Sequence, residues 1–251
     1  MMFGYRGWRR QWGDERHCGG ALLWQLNDCG PTISWAIADY FLNPKPAYYA
    51  VKRVLNPIAV GVRREHHDWS VAHAQPPRTS KYELWVSSNN PEAVRGSIEL
   101  RFLSVNTGRD IRTPILREDI VLTANGTTNI ITDGLLDHIA EPEPHVLAAR
   151  LWVDHKVVAR DVDWPQPFKY LDLSDRGLEV KPETRVSAAG ERQQILRIHA
   201  HKPVKCLVFE ERDRVRVSDS AMDIVPGDEQ VVLVTGLGEN DAPLKYRYLG
   251  Q

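Results

Sequence analysis

The chain has 251 residues, 42% of them hydrophobic, with 32 basic and 33 acidic side chains and a formal net charge of −1. That length allows one large domain or two to three small ones with real cores. So balanced a charge gives no electrostatic reason to expect nucleic acid or an anionic membrane as a partner. Cys18, Cys29 and Cys206 contain no Cys-x-x-Cys pair. An odd count in so long a chain argues against a disulfide framework and for a reducing compartment. The N-terminus has no apolar core of signal-peptide length, and no run approaches the ~18 apolar residues of a membrane span. An intracellular, cytoplasmic location is therefore expected.

From Tyr5 to His17, Tyr5, Trp8 and Trp12 recur at spacings of three and four. This pattern predicts a helix that packs by its aromatic side and turns Arg6, Arg9, Arg10 and Arg16 to solvent. Gly19-Gly20 ends it and releases the apolar run Ala21 to Leu26, which closes on Asn27 and Asp28 before Gly30-Pro31. Such a run fits a buried parallel strand, and it equally fits an ordinary core strand with an Asn-Asp turn. In a β/α barrel the carboxyl end of a strand faces the active site, so Trp24, Asn27 and Asp28 are candidate substrate contacts. A long loop carrying Ser34 and Trp35 follows, then a helix from Pro46 to Leu55 with its proline in the first turn.

Helix, strand, loop and helix make only part of a barrel that needs eight strands. A lone parallel strand has no ladder partner. Residues 1–56 are accordingly predicted to be the last units of a β/α barrel cut off from the rest. The unpaired strand and the Trp8/Trp12 face are expected to drive self-association.

After Asn56-Pro57 the spacing changes to period two: Ile58, Val60, Val62; Tyr82, Leu84, Val86; Ile98, Leu100, Phe102; Leu147, Ala149, Leu151, Val153. Short alternating runs separated by Asn, Gly and Pro signals predict an antiparallel β-sandwich over residues 57–165. Asn125-Gly126-Thr127 is read as an Asn-Gly hairpin turn rather than a glycan acceptor. Trp164-Pro165-Gln166-Pro167 is a stiff connector. A second sandwich is expected over 166–251, with strands at Leu178–Lys181, Gln194–Ala200, Val204–Phe209, Val215–Val217, Glu229–Thr235 and Leu244–Tyr248. The predicted fold class is thus mixed, a truncated end of a (β/α)8 barrel followed by two antiparallel immunoglobulin-like β-sandwiches.

His66-His67 and His199-x-His201 could supply imidazoles to a metal, but neither pair has a third ligand nearby in sequence. No phosphate loop, nucleophile elbow or zinc-protease motif is present. No metal and no cofactor are expected.

One segment carries a specific resemblance. The pattern Trp24-Gln25-Leu26-Asn27-Asp28, Pro31, Ser34-Trp35, Asp39-Tyr40 and Pro44-Lys45-Pro46-Ala47-Tyr48-Tyr49 resembles the last barrel strand and helix of the β-mannosidases of glycoside hydrolase family 2. It is most similar to the fungal intracellular enzymes, and the likeness runs on through Arg63 to Trp69 and Thr79 to Val86 to the end of the chain. One position departs: Gly30 stands where the family usually has Trp. The resemblance implies an exo-acting, retaining hydrolase that releases terminal non-reducing β-D-mannose from oligosaccharides. Its two catalytic glutamates lie on the fourth and seventh barrel strands, which this chain does not contain. No catalytic residue is therefore expected here, and the chain alone is expected to be inactive.

The resemblance also implies that Trp24 forms the floor under the sugar. An indole face suits a pyranose ring while polar neighbours set its orientation. Asn27 and Asp28 would be those neighbours. Trp35 is either a further substrate contact or a packing residue against the last helix. Two rivals stay open: a non-catalytic sandwich scaffold with a vestigial barrel piece, and an exo-β-glucosaminidase of the same family.

Overall fold

The computed structural model describes residues 2–14, 16–70, 77–186, 192–238 and 241–251. The chain divides into two units: Met1–Leu22, Val51–Val105 and Asp110–Leu171 form the first, and Leu23–Ala50, Asn106–Arg109 and Asp172–Gln251 the second. Strands dominate both. The described residues include two α-helices, α1 (Met2–Arg10) and α2 (Pro46–Val54), and no described helix is long and apolar enough to cross a membrane.

The first unit contains β1 (Ile58–Arg64), β2 (Thr79–Ser88), β3 (Val94–Ser104), β4 (Ile115–Leu122), β5 (Gly126–Asp137), β6 (His145–Val153) and β7 (Lys156–Asp163). They form two antiparallel sheets, ordered β1-β2-β5 and β4-β3-β6-β7. Period two explains the core. Val60 and Val62 sit opposite Val86 and Leu84, while Ile98, Leu100 and Phe102 sit opposite Leu151, Ala149 and Leu147. All of these side chains join one buried cluster shared by the two sheets. Each fully buried Leu or Phe contributes on the order of 1.5–3 kcal/mol, so the sandwich has a sufficient core of its own.

One turn differs from the sequence reading and another was not foreseen. Asn125 does take a left-handed φ of +40°, but it joins β4 to β5, which lie in different sheets. It is a crossover between layers and not a hairpin, because turn chemistry fixes the local bend and leaves the partner strand open. The tight hairpin is instead Asp154-His155 between β6 and β7, with φ of +49° and +61° and Val153 paired to Lys156. Two successive left-handed residues are what a primed hairpin turn needs.

α1 corrects a second expectation. It ends at Arg10, where Gln11 N–H is shared between the carbonyls of Gly7 and Trp8 in a tightening last turn, and it does not run on to His17. Its faces are mixed instead of split: Tyr5 is buried as expected, but so is one of the arginines. Arg6 is buried, whereas Phe3 and Trp8 are 61% and 50% exposed. Arg6 pairs with Asp161 of β7, and Arg10 forks onto Glu83 of β2 at 2.7 and 3.0 Å. Beneath these arginines, on the face of β2 opposite the core, lies Trp85, only 2% exposed. The guanidinium of Arg10 stands 4.5 Å from the Trp85 ring. Gly61 of β1 makes room for that indole, since a Cβ there would lie 2.4 Å from its ring atoms.

The second unit contains β8 (Glu179–Val186), β9 (Arg192–His199), β10 (Val204–Phe209), β11 (Arg216–Val217), β12 (Met222–Ile224), β13 (Gln230–Thr235) and β14 (Tyr246–Arg247). The sheets are ordered β11-β13-β9-β8 and β12-β10-β14. Leu196, Ile198, Val204, Leu207, Phe209, Met222, Ile224, Val232 and Val234 make their common core. The short strand β12 was not foreseen. The register between β10 and β12 shifts around Cys206, whose φ of +56° marks a bulge.

The strand expected at Ala21 to Leu26 does not form. The nearest regular pairing is an isolated parallel bridge of Asn27 with Ala38, just beyond it, and Leu22, Trp24 and Leu26 are 99%, 78% and 60% exposed. The physical reason is the one that makes a lone parallel strand unsound: its backbone N–H and C=O groups need at least one neighbouring strand to pair with. Among the described residues no strand pairs with it.

Candidate functional site

The candidate residues Trp24, Asn27, Asp28 and Trp35 all lie in the segment Leu23–Ala50 of the second unit. A small frame of backbone bonds shapes it. Asp28 N–H donates to the Ala38 carbonyl at 3.2 Å and Ala38 N–H to that of Leu26 at 2.9 Å, while Lys45 N–H reaches the Ile37 carbonyl at 2.8 Å. Ala36, Ile37 and Ala38 are buried within this frame. At its far end the Asp39 carboxylate accepts from the Asn43 backbone N–H at 2.7 Å and from its side-chain amide at 3.0 Å, which closes the loop before α2.

Asp28 is the polar centre of the frame and is 2% exposed. Its Oδ2 accepts from Lys45 Nζ at 2.7 Å, and its Oδ1 accepts from the Ser34 hydroxyl. Ser34 Oγ accepts in turn from the Ala36 backbone N–H at 3.0 Å. The hydrogen bond from Lys45 and then that from Ser34 hold the Asp28 carboxyl below the ordinary aspartate range, against the opposing effect of desolvation. A carboxylate kept ionised in this way is a poor proton donor near neutral pH. Its role in this geometry is to brace the loop.

The two tryptophans lie on either side of Asp28 in sequence and are presented outward, Trp24 at 78% and Trp35 at 66% exposure. The Trp24–Gln25 peptide bond is cis. Asn27 donates through Nδ2 to the Asp28 carbonyl at 3.1 Å. Gly30 lies on the same loop with no atom within 4 Å of where a Cβ would stand, so the position has room for a larger side chain. The segment therefore offers two free indole faces on a loop fixed by an ion pair. Lys45 is the residue of this frame that the sequence reading left out. Its signal would have been a lone lysine inside a Pro-x-Pro run, immediately before a helix.

The remaining candidates do not converge. The rings of His199 and His201 stand 5.3 Å apart, but among the described residues no group of three or more His, Cys, Asp or Glu could hold a metal ion. Cys18, Cys29 and Cys206 form no disulfide among the described residues.

Residues 80–170 match the family model described as Mannosidase Ig/CBM-like domain. Over all 251 residues the chain is 76% identical to Beta-mannosidase B of Aspergillus oryzae, covering 29% of that protein. It is 74% identical to Beta-mannosidase B of Aspergillus niger over the same span, again 29% of the relative. The chain thus spans under a third of the length of the curated relatives it matches. Among solved structures, a β-D-mannosidase from Dictyoglomus thermophilum aligns with a TM-score of 0.76 at 22% identity, over 99% of this chain and 28% of that one. An exo-chitosanase from Amycolatopsis orientalis aligns with a TM-score of 0.63 at 14% identity, over 93% of this chain and 30% of that one. At these identities the two structures bear on the fold alone.

Proposed function

Because the chain belongs along its whole length to the β-mannosidases of glycoside hydrolase family 2, we propose that it supplies one wall of the sugar site of a retaining exo-β-mannosidase. The enzyme releases terminal non-reducing β-D-mannose from oligosaccharides. The observation that carries this reading is the free indole of Trp24 on a loop braced by Asp28, in a chain 76% identical to a protein named Beta-mannosidase B.

In the complete enzyme Trp24 is the floor beneath the pyranose ring and Trp35 flanks it. Asn27 hydrogen-bonds the sugar hydroxyls, and Asp28 takes part through the loop that it holds. Residues 1–56 are the last units of a β/α barrel whose other strands come from polypeptide outside these 251 residues. There, residues 21–26 gain the ladder partners that they lack here. Residues 57–165 and 166–251 are two immunoglobulin-like sandwiches that support the barrel. The retaining mechanism needs two carboxyl groups about 5–5.5 Å apart, one as nucleophile and one as acid/base. Asp28 is committed to Lys45 and Ser34, and the resemblance to the family implies that both are glutamates of the fourth and seventh barrel strands.

The test is to assay a full-length enzyme carrying this chain against chromogenic β-mannoside and β-glucosaminide. Hydrolysis of the mannoside with retention at the anomeric carbon is expected. Preference for the glucosaminide, or no turnover of either, overturns the proposal.

A further inference from the structure

We infer that Lys45 and Ser34 are positioning residues for the proposed sugar site: holding the buried Asp28 carboxylate from two sides, they fix Asn27 and Trp35. The inference deepens the proposed function and rests on the reading of Asn27 and Trp35 as sugar contacts.

Lys45 is the rigid half of this joint. It stands between Pro44 and Pro46, and a following proline restricts the backbone of the residue before it. Its N–H donates to the Ile37 carbonyl, and its own carbonyl accepts the Tyr48 N–H from the first turn of α2, both at 2.8 Å. A cation at the start of a helix is electrostatically unfavourable, because the orphan N–H groups there carry partial positive charge. The Asp28 carboxylate, with Oδ2 2.7 Å from Lys45 Nζ, offsets this. Side-chain exposure is 1% for Asp28 and 25% for Lys45, so water does not replace the lysine as partner. Removing Lys45 would leave a buried charge uncompensated. Asp28 is buried within these 251 residues already, so that penalty does not depend on what else packs against the segment.

Ser34 carries the constraint across the loop. Its one hydroxyl proton goes to Asp28 Oδ1, and its oxygen accepts the Ala36 N–H at 3.0 Å. Trp35 lies between the two residues so tied. Asn27 lies between Leu26 and Asp28, whose carbonyl and N–H respectively both bond to Ala38. One carboxylate therefore braces the backbone at both proposed contacts. All of these residues belong to the single segment Leu23–Ala50 of the second unit. A carbonyl oxygen accepts two hydrogen bonds, so Leu26 can still pair when residues 21–26 form a strand.

The test uses a full-length enzyme carrying this chain, with Lys45→Met and Ser34→Ala each made in the parent and in an Asn27→Ala/Trp35→Ala background. Losing one net hydrogen bond should raise KM for a β-mannoside by about threefold to tenfold in either single variant, with a smaller change in kcat. In the background that lacks both positioned side chains these effects should vanish, because nothing is left to position. An unchanged KM in the single variants, or effects of full size in that background, overturns the inference while leaving the reading of Asn27 and Trp35 intact. An Asn27→Ala/Trp35→Ala enzyme with unimpaired kcat/KM overturns both. If Lys45→Met fails to fold, Ser34→Ala carries the test alone.

Discussion

Replacing His145 should remove a specific part of the acid sensitivity of the first sandwich. His145 opens β6, is 3% exposed and places Nδ1 2.9 Å from the Glu143 carbonyl. A carbonyl only accepts, so Nδ1 carries the proton and Nε2 is bare; Nε2 has no partner. Protonating Nε2 would bury an uncompensated charge. Desolvation, then the positive charge of Arg64 from β1, push the imidazole down to about 4; Arg112 and His138 add to this and the Glu143 carbonyl opposes it. Against an ordinary value of 6.5, at roughly 1.36 kcal/mol per unit, the shift corresponds to about 3 kcal/mol. The sign follows from proton linkage. Between pH 6.5 and 4 the unfolded chain binds a proton that the folded chain refuses, so stability is full above 6.5 and falls as the pH drops towards 4. Amide exchange in β3 and β6, corrected for the intrinsic rate, should lose about two orders of magnitude of protection across that window. In His145→Leu the loss should be smaller by that amount. Parallel pH profiles for parent and variant would refute the reasoning.

Gly61→Ala should cost about 1–3 kcal/mol by forcing the Trp85 indole off β1; a near-neutral melting temperature would show that the ring has other room. Asp28→Asn should speed amide exchange at Ala38 and Lys45, because the neutral amide no longer pairs with Lys45, and unchanged exchange would show that the backbone frame stands without the ion pair. The isolated chain should self-associate, since Leu22, Ile33 and Phe41 are exposed at 99%, 100% and 68% beside Trp24 and Trp35. Light scattering would contradict this by reporting a monodisperse monomer.

The parts legible in the sequence were those governed by local rules. Alternation of Ile98, Leu100 and Phe102, and of Leu147, Ala149 and Leu151, placed the sheets and their buried faces, because period two leaves no other arrangement that hides them. β12 escaped because three residues are too few to display a period. The arginine face of α1 was misread because its partners, Glu83 and Asp161, lie 73 and 155 residues away; nothing local separates a solvated arginine from a buried paired one. At the candidate site, the polar end of the apolar run drew attention to Asp28. That its carboxylate is occupied by Lys45, 17 residues on, is a property of the loop fold. The run Ala21 to Leu26 shows the limit most plainly, since its composition suggests a strand and the structure forms none there.

The claim that Trp24 is the sugar floor is tested most directly by Trp24→Ala in a full-length enzyme carrying this chain, assayed on a chromogenic β-mannoside. An aromatic anchor at the centre of a binding site is worth about 2 kcal/mol or more. kcat/KM should therefore fall by about 30-fold or more in a variant that still folds. A variant that folds and retains the parent kcat/KM would contradict the account.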